Sequence, residues 1–200
     1  MKNKILTTLA VIGFAVAAQA VPVTFNFLEN GSNLALGNTS TFTEGGVSIT
    51  AYASGRDILY AKNLGVGVET GLGLTSDPSG QNEITPGHFI QLGLPTTPIT
   101  ALSLLFVQSV TGGETALIYH SATLGVLGTL IGTLTGSGQS IDVSAFTTGY
   151  IGVTAGTGGG QNVLIESLTA ELRTPDGGST MLLMGSALTA IGLIRRKLAA

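Results

Sequence analysis

Apolar and polar residues alternate with a period of two along much of the chain between residues 21 and 172. The first such segment is marked by apolar residues of one parity, namely Val21, Val23, Phe25 and Phe27. Polar residues stand between them at positions 24 and 26. Because successive side chains of a strand point to opposite faces, this pattern predicts a strand with one buried face.

The same kind of pattern predicts further strands over residues 46–53, 88–94, 99–107, 115–120, 141–146, 150–155 and 163–172. Turn-forming residues separate them, as at 30–32, 77–80, 111–113 and 156–160. Short strands with such spacing predict an antiparallel β-sandwich of jelly-roll type over residues 21–173. Residues 122–138 are predicted as two strands and a turn, because their glycines would weaken a helix.

The start of the chain has the three parts of a secretory signal peptide. Two lysines precede an apolar run over residues 5–18, and Ala18 and Ala20 form an A-x-A cleavage site. The run is too short to span a bilayer comfortably. We therefore predict that signal peptidase removes residues 1–20 and that the mature chain begins at Val21.

The end of the chain predicts a membrane segment within residues 174–200. An apolar run over 180–194 ends in Arg195, Arg196 and Lys197. As a helix with its flanks it reaches about 25 Å, close to the thickness of the hydrocarbon core. A buried helix of the domain is disfavoured because the run is apolar all round. We predict a single transmembrane helix whose basic end stays in the cytoplasm and leaves the body outside.

Charge is distributed unevenly between the ends and the middle of the chain. Residues 21–174 carry three basic and ten acidic residues, which gives a net charge of −7. A body this acidic repels phosphate backbones, which argues against nucleic-acid binding. The absence of cysteine excludes disulfides, thiolate metal sites and cysteine nucleophiles.

Few residues of the body suggest catalysis, and we expect a protein that is not an enzyme. The two histidines, His88 and His120, lack metal-ligand spacing, and no Gly-x-Ser-x-Gly motif occurs. A triad of distant Ser, His and Asp residues and a glycosidase with two carboxylates both stay open. Tryptophan is absent, so sugar stacking would fall to tyrosines whose commoner use is packing: Tyr52, Tyr60, Tyr119 and Tyr150.

One loop offers a weak candidate for a metal site. Asp77, Ser79, Asn82 and Glu83 place oxygen atoms around a glycine and could hold a structural calcium ion. The plain alternative is a β-turn, which Asp-Pro-Ser-Gly also favours, and we prefer it. We expect no other cofactor.

The tail resembles a known class of sorting signals. Thr174, Pro175, Asp176, Gly177 and Gly178 precede the apolar run and the basic end, in the order of PEP-CTERM tails and specifically of their VPDSG-like variant. Thr174 stands where that variant has Val, and Gly177 where it has Ser, which leaves the enzyme subtype open. Pro175 blocks helix formation, and the two glycines keep the segment extended and accessible to a protease.

The resemblance implies that the tail is a substrate of an exosortase, an integral membrane cysteine transpeptidase of Gram-negative bacteria that make exopolysaccharide. Residues 174–178 would be recognised, with cleavage nearby, while the helix holds the substrate in the membrane. More loosely, the body resembles the β-sandwich ectodomains of other proteins with such tails, in residues 64–68, 71–74, 82–84, 89–92, 150–155 and 163–169.

These features together predict an exported protein that is anchored transiently in the inner membrane and then sorted to the cell surface or extracellular matrix. We expect a structural or adhesive role there, with exopolysaccharide as a further partner. One alternative is an extracellular glycan-active enzyme that the same tail delivers. Another is a surface protein that stays anchored in the membrane permanently.

Overall fold

The computed structural model describes the body at residues 21–28, 32–64, 69–95, 99–110 and 113–172 and, near the end of the chain, residues 185–189, 191, 195 and 196. Residues 20–172 form one compact unit, and residues 1–19 and 173–200 are assigned to a second. The predicted signal peptide, with Ala18 and Ala20, lies outside the described residues, and so does the segment 174–178.

The described part of the body is built from strands, which confirms the all-β prediction. In chain order they are β1 (Val21–Asn26), β2 (Leu34–Gly37), β3 (Thr39–Glu44), β4 (Val47–Ala53), β5 (Leu59–Asn63), β6 (Thr70–Leu74), β7 (Ile90–Gly93), β8 (Ile99–Gln108), β9 (Ala116–Ser121), β10 (Thr129–Leu134), β11 (Gln139–Ile141), β12 (Tyr150–Ala155) and β13 (Leu164–Leu172).

These strands form two sheets, and their pairings are antiparallel. The seven-stranded sheet has the order β11-β8-β13-β6-β5-β2, and β1 also pairs with β13. The six-stranded sheet has the order β10-β9-β12-β7-β4-β3. The antiparallel part of the prediction is thus confirmed, while the jelly-roll type stays a prediction.

Both sheets contribute buried side chains to one apolar cluster, as in a β-sandwich. Phe25 and Phe27 come from the β1 region, and Phe42 comes from β3 of the other sheet. The rings of Phe27 and Phe42 meet edge to face with centroids 5.0 Å apart. Burying a side chain of this size stabilises the fold by about 1.5–3 kcal/mol. The alternation at the start of the body therefore identifies Phe25 and Phe27 as core residues correctly, whereas Val23 is only partly buried and Val21 is 48% exposed.

Several predicted strands differ from the observed ones. Residues 141–146 are not a strand, since β11 ends at Ile141 and Phe146 N donates to Val143 O in a turn. Residues 122–138 contain one strand before β11, not two, because residues 122–128 have no strand. The prediction also missed β2, β3, β5 and β6.

The glycines of β6 explain why that strand is difficult to recognise. A Cβ atom on Gly71 would lie 2.5 Å from Ile165 O, and one on Gly73 would clash with the backbone oxygen of Asn82 in the loop before β7. These two positions therefore need glycine so that β13 and the loop before β7 can pack closely. The resulting sequence, Thr-Gly-Leu-Gly-Leu, resembles a loop although most of it is buried.

The two ends of the body lie together in the seven-stranded sheet. Val21, the first residue of β1 and the predicted mature start, is the register partner of Leu172, the last residue of β13. The first residue of β1 and the last residue of β13 therefore lie side by side at one end of the β1–β13 pair.

Candidate functional site

The described residues of the tail are helical and exposed, at 185–189, 191, 195 and 196. Leu188 and Ile191 are exposed apolar side chains, and Thr189 Oγ1 donates to Gly185 O one turn earlier at 2.7 Å. Arg195 and Arg196 are among these helical residues, whereas Lys197 and the predicted motif residues Thr174 to Gly178 lie outside the described residues. Within the part of the chain that the structure describes, no helix is long and apolar enough to cross a membrane.

The Asp77 loop is held together by the Asp77 carboxylate. Asp77 Oδ1 accepts from Ser79 N at 2.9 Å, and Asp77 Oδ2 accepts from Ser79 Oγ at 2.6 Å and from Gln81 N at 3.1 Å. Burial raises the pKa of Asp77, but the hydrogen bonds from Ser79, Glu83 and Gln81 outweigh burial and leave this pKa below its ordinary value. The Asp77 carboxylate therefore works as the cap of its own turn.

The other predicted calcium ligands have different surroundings. Glu83 is fully buried and its Oε1 accepts from Lys62 Nζ at 2.7 Å, while Asn82 adopts a positive φ of 61°. Among the described residues, no three His, Asp or Glu side chains are grouped as a metal site. A structural calcium ion at this loop stays a prediction of the sequence.

A buried polar cluster surrounds Glu83. Lys62 Nζ donates to both Glu69 and Glu83, and Ser109 Oγ donates to Glu83 Oε1 at 3.1 Å. Glu83 Oε2 has no hydrogen-bond partner among the described residues. Ser109 has a positive φ of 70°, which is strained for a residue with a side chain. A pocket of about 230 Å³ opens beside Lys62 and Glu69.

The pKa values in this cluster follow from two carboxylates sharing one ammonium group. Burial raises the pKa of Glu83, and the neighbouring Glu69 raises it further. The hydrogen bond from Lys62 holds the pKa of Glu69 below its ordinary value. Burial lowers the pKa of Lys62, but the hydrogen bonds to Glu69 and Glu83 outweigh burial and raise that pKa. The cluster therefore keeps a charged lysine in the fold.

His88 joins an acid and two serines, which is the kind of constellation that the sequence left open. His88 Nδ1 lies 2.6 Å from Asp57 Oδ2 and 3.3 Å from Ser76 Oγ, and Ser54 Oγ donates to Asp57 Oδ2 at 3.1 Å. In a catalytic triad the serine and the acid contact opposite ring nitrogens. Here both contact Nδ1, so these groups do not form a proton relay between nucleophile and acid.

An open groove of about 620 Å³ lies on the outer face of the six-stranded sheet, and we call it the tyrosine groove. Tyr52 of β4 and Tyr150 of β12 line it, with ring centroids 5.9 Å apart in an edge arrangement. Gly93 of β7 lies between their strands, as the register partner of Tyr150 on one side and Thr50 on the other. Thr50 and Ser48 continue the lining along β4.

A loop over residues 122–128 packs on the same outer face and contributes Ala122 to the groove. The buried side chain of Gln91 anchors this loop, because its Nε2 donates to Val126 O at 2.9 Å and its Oε1 accepts from Gly125 N at 2.6 Å. A Cβ atom on Gly152 would lie 2.9 Å from Leu127 Cδ2, so that glycine lets the loop approach the sheet.

The comparison with protein families identifies the tail. Residues 175–198 match the VPDSG-CTERM motif. This segment is a PEP-CTERM-like exosortase sorting signal. No curated protein and no solved structure shows significant similarity to the chain.

The match confirms the resemblance that the sequence suggested. The sorting signal contains the predicted motif residues Pro175, Asp176, Gly177 and Gly178, and it also contains the basic group Arg195, Arg196 and Lys197. Thr174, the first residue of the predicted motif, directly precedes the match. The roles of these residues in recognition and orientation stay predictions.

Local sequence patterns predict neither the polar cluster nor the tyrosine groove. Lys62 and Glu83 are separated by 21 positions, and no local pattern marks them as partners. Tyr52 and Tyr150 are candidates for sugar stacking by residue type, but only the strand order β12-β7-β4 brings them to the same groove. The alternation in β4 was a usable signal, because it places Ser48, Thr50 and Tyr52 on the face opposite the core.

Proposed function

We propose that the chain is an exported surface protein that an exosortase-type enzyme sorts, and that its two-sheet body has a structural or adhesive role in the cell surface or extracellular matrix. The observation that carries this proposal is the sorting signal at residues 175–198. In this proposal signal peptidase removes residues 1–20. A helix over residues 180–194 then holds the chain in the inner membrane until the exosortase acts, with Arg195, Arg196 and Lys197 on the cytoplasmic side.

The spacing between the body and the sorting signal supports processing close to the body surface. Leu172 is paired in the sheet, and the match begins at Pro175. Three residues span at most about 10 Å even when fully extended. An enzyme that reads the motif would therefore work next to the end of the β1–β13 pair.

We propose a body that acts without catalysis. Two features support this: the shared use of His88 Nδ1 by Asp57 and Ser76, and the lining of the tyrosine groove, which includes no carboxylate. Glycoside hydrolysis by the usual mechanism needs two carboxyl groups beside the scissile bond. A glycan-active enzyme is the alternative, and polysaccharide turnover by the purified protein would favour it.

The decisive experiment is intact mass and peptide mapping of the native protein recovered from the membrane and from the medium. We expect a form that begins at Val21 and ends within or near Pro175 to Gly178. A form that keeps Arg195–Lys197 and stays in the membrane would mean that the tail is a permanent anchor, and it would overturn the sorting step.

A matched pair of variants tests the motif itself. Asp176→Ala should reduce the processed fraction severalfold, because it changes the recognised segment. Asp142→Ala, which removes an exposed carboxylate that caps a turn in the body, should be processed like the parent chain. Equal processing of the two variants would exclude Asp176 from recognition.

A further inference from the structure

We propose that the tyrosine groove binds a neutral sugar chain of a polysaccharide. This inference rests on the proposed surface function, and it names the part of the body that would contact the matrix. The groove is distinct from the polar cluster around Glu83 and from the His88 network, since none of their residues line it.

The shape of the groove depends on a missing side chain at its floor. A Cβ atom on Gly93 would lie 3.2 Å from Tyr52 Cε2 and 3.6 Å from Tyr150 Cε1. Any side chain there would therefore fill the space between the two rings. The volume of about 620 Å³ falls within the range of about 300–1,000 Å³ that is usual for small-molecule sites.

The walls of the groove offer both an apolar surface and hydroxyl groups, and a sugar ring can contact both. Tyr52 and Tyr150 are half-buried, so each combines an apolar ring face with a polar hydroxyl group. Within the described part of the chain, neither tyrosine hydroxyl has a hydrogen-bond partner in the protein. Apolar faces can cover the C–H side of a pyranose, and the hydroxyl groups can bond to its rim.

Hydroxyl groups extend the polar surface beyond the tyrosines toward the edge strand. Thr41 and Thr50 hydroxyls lie 3.0 Å apart across β3 and β4, and those of Thr43 and Ser48 lie 2.8 Å apart. This row runs along the sheet beside the groove, so a chain longer than one sugar would meet further hydroxyl groups. A linear polymer fits this arrangement better than a single monosaccharide does.

The charge of the site favours a neutral ligand. The residues that line the groove carry no charged side chain. The body around it has a net charge of −7, which repels anionic polymers at moderate ionic strength. Uronic-acid chains therefore lack the basic partner that they would need here.

The test uses the purified full chain in mild detergent and biosensor surfaces that carry dextran, laminarin or hydroxyethylcellulose, with alginate as the anionic probe. We expect binding to at least one neutral polymer and at least about tenfold weaker binding to alginate. Tyr52→Ala and Tyr150→Ala should each weaken binding about tenfold. Gly93→Val should weaken it at least as much, and Gly93→Ala serves as a milder change if the valine variant does not fold.

Tyr60→Ala is the matched control, because Tyr60 is a half-buried tyrosine of the seven-stranded sheet that does not line the groove. It should bind within about twofold of the parent chain. Equal losses in the Tyr52 and Tyr60 variants, preference for alginate, or no binding to any of the neutral polymers would each overturn the groove proposal. The proposed surface function is tested separately, by the intact mass of the native protein, so failure of one proposal can be distinguished from failure of the other.

Discussion

A single ammonium group, that of Lys62, lies between the carboxylates of Glu69 and Glu83. Glu83 is fully buried, whereas the side chain of Glu69 is 36% exposed. Water can therefore solvate Glu69 if the lysine is lost, but it cannot solvate Glu83. At the scale of the residue, the stability of this cluster depends on which partner is removed.

We predict that Lys62→Met lowers the free energy of unfolding by about 3–5 kcal/mol, because it leaves a buried carboxylate without its counterion. Glu69→Gln should cost less than about 1 kcal/mol, since this carboxylate is partly solvated. Urea denaturation measures both values. The double change Lys62→Met with Glu83→Leu should recover most of the loss, and equal losses in the two single variants would contradict the assignment.

The Asp77 carboxylate makes stability depend on pH in the acid range. Its folded-state pKa is lowered, so below its ordinary pKa the unfolded chain takes up a proton that the folded chain does not. The stability that Asp77 contributes is therefore present above its ordinary pKa and is lost as pH falls through the folded-state pKa. We predict that Asp77→Asn costs about 1–3 kcal/mol at pH 7 and that this cost shrinks below about pH 4.

Denaturation of the parent and variant chains over a pH series tests this prediction. Asp142→Asn is the matched control, because Asp142 also accepts from the amide of the residue two positions on, Ser144, at 2.8 Å, but it is exposed. Its effect at pH 7 should be smaller than that of Asp77→Asn. A cost at position 77 that does not vary with pH would show that its charge is not what stabilises the loop.

At the scale of the element, the 122–128 loop illustrates how one buried side chain can hold an irregular segment. Gln91 lies in β7, but its amide group makes hydrogen bonds to backbone groups of Thr123, Gly125 and Val126. These backbone groups have no strand partners, so the side chain substitutes for a neighbouring strand. The sequence showed no sign of this, because Gln91 falls on the outer parity of its strand.

We predict that Gln91→Leu releases this loop while the sheets stay folded. Amide hydrogen exchange at residues 124–127 should rise at least about tenfold, since the loop loses its hydrogen bonds to the sheet. Gln161→Leu is the control, because Gln161 accepts from Thr115 N in a different loop and should leave residues 124–127 unchanged. Exchange that rises equally across the strands would indicate global destabilisation instead.

Some strands can be predicted from their own sequence and others cannot, depending on whether apolar residues alternate along the buried face. In β4 the apolar residues Val47, Ile49 and Ala51 alternate with polar ones, and the prediction was correct within a residue. In β6, glycine replaces side chains because other segments approach it, and the strand was missed. β3, with the sequence Thr-Ser-Thr-Phe-Thr-Glu, buries only Phe42 and has too few apolar positions to show a period.

At the scale of the whole molecule, the strands and the sorting signal occupy separate parts of the chain. The sorting signal is a contiguous segment, residues 175–198, and we expect a membrane enzyme to recognise its first residues, Pro175 to Gly178. The body begins and ends at the paired residues Val21 and Leu172. Cleavage before Val21 or after Leu172 would therefore remove no strand from the sheets.

We predict that the tail is sufficient for sorting. Residues 173–200, fused to an unrelated exported carrier in a Gram-negative host, should cause processing only when an exosortase that reads VPDSG-CTERM tails is also expressed. The body without residues 175–198 should be exported but not retained at the membrane. Immunoblots of membrane and medium fractions measure both outcomes. A carrier that is cut equally without the exosortase would show that a general protease is responsible.

The sequence by itself determined two things, the all-β class of the body and the sorting signal that directs the protein. The sorting signal was readable because an enzyme recognises such a signal as a linear run of residues, which does not depend on the fold. The all-β class was readable because apolar and polar residues alternate with a period of two along several strands, and in β4 this period matches the buried face.

Only the tertiary structure decided what the body presents to its surroundings. The pairing of Lys62 with Glu83, the sharing of His88 Nδ1 and the meeting of Tyr52 with Tyr150 all depend on the order of strands in the sheets. Strand order is fixed by contacts between segments far apart in the chain, and no local pattern contains it. The groove at Gly93 is the clearest case, because its shape depends on a side chain that is absent from one strand and on rings that two other strands supply.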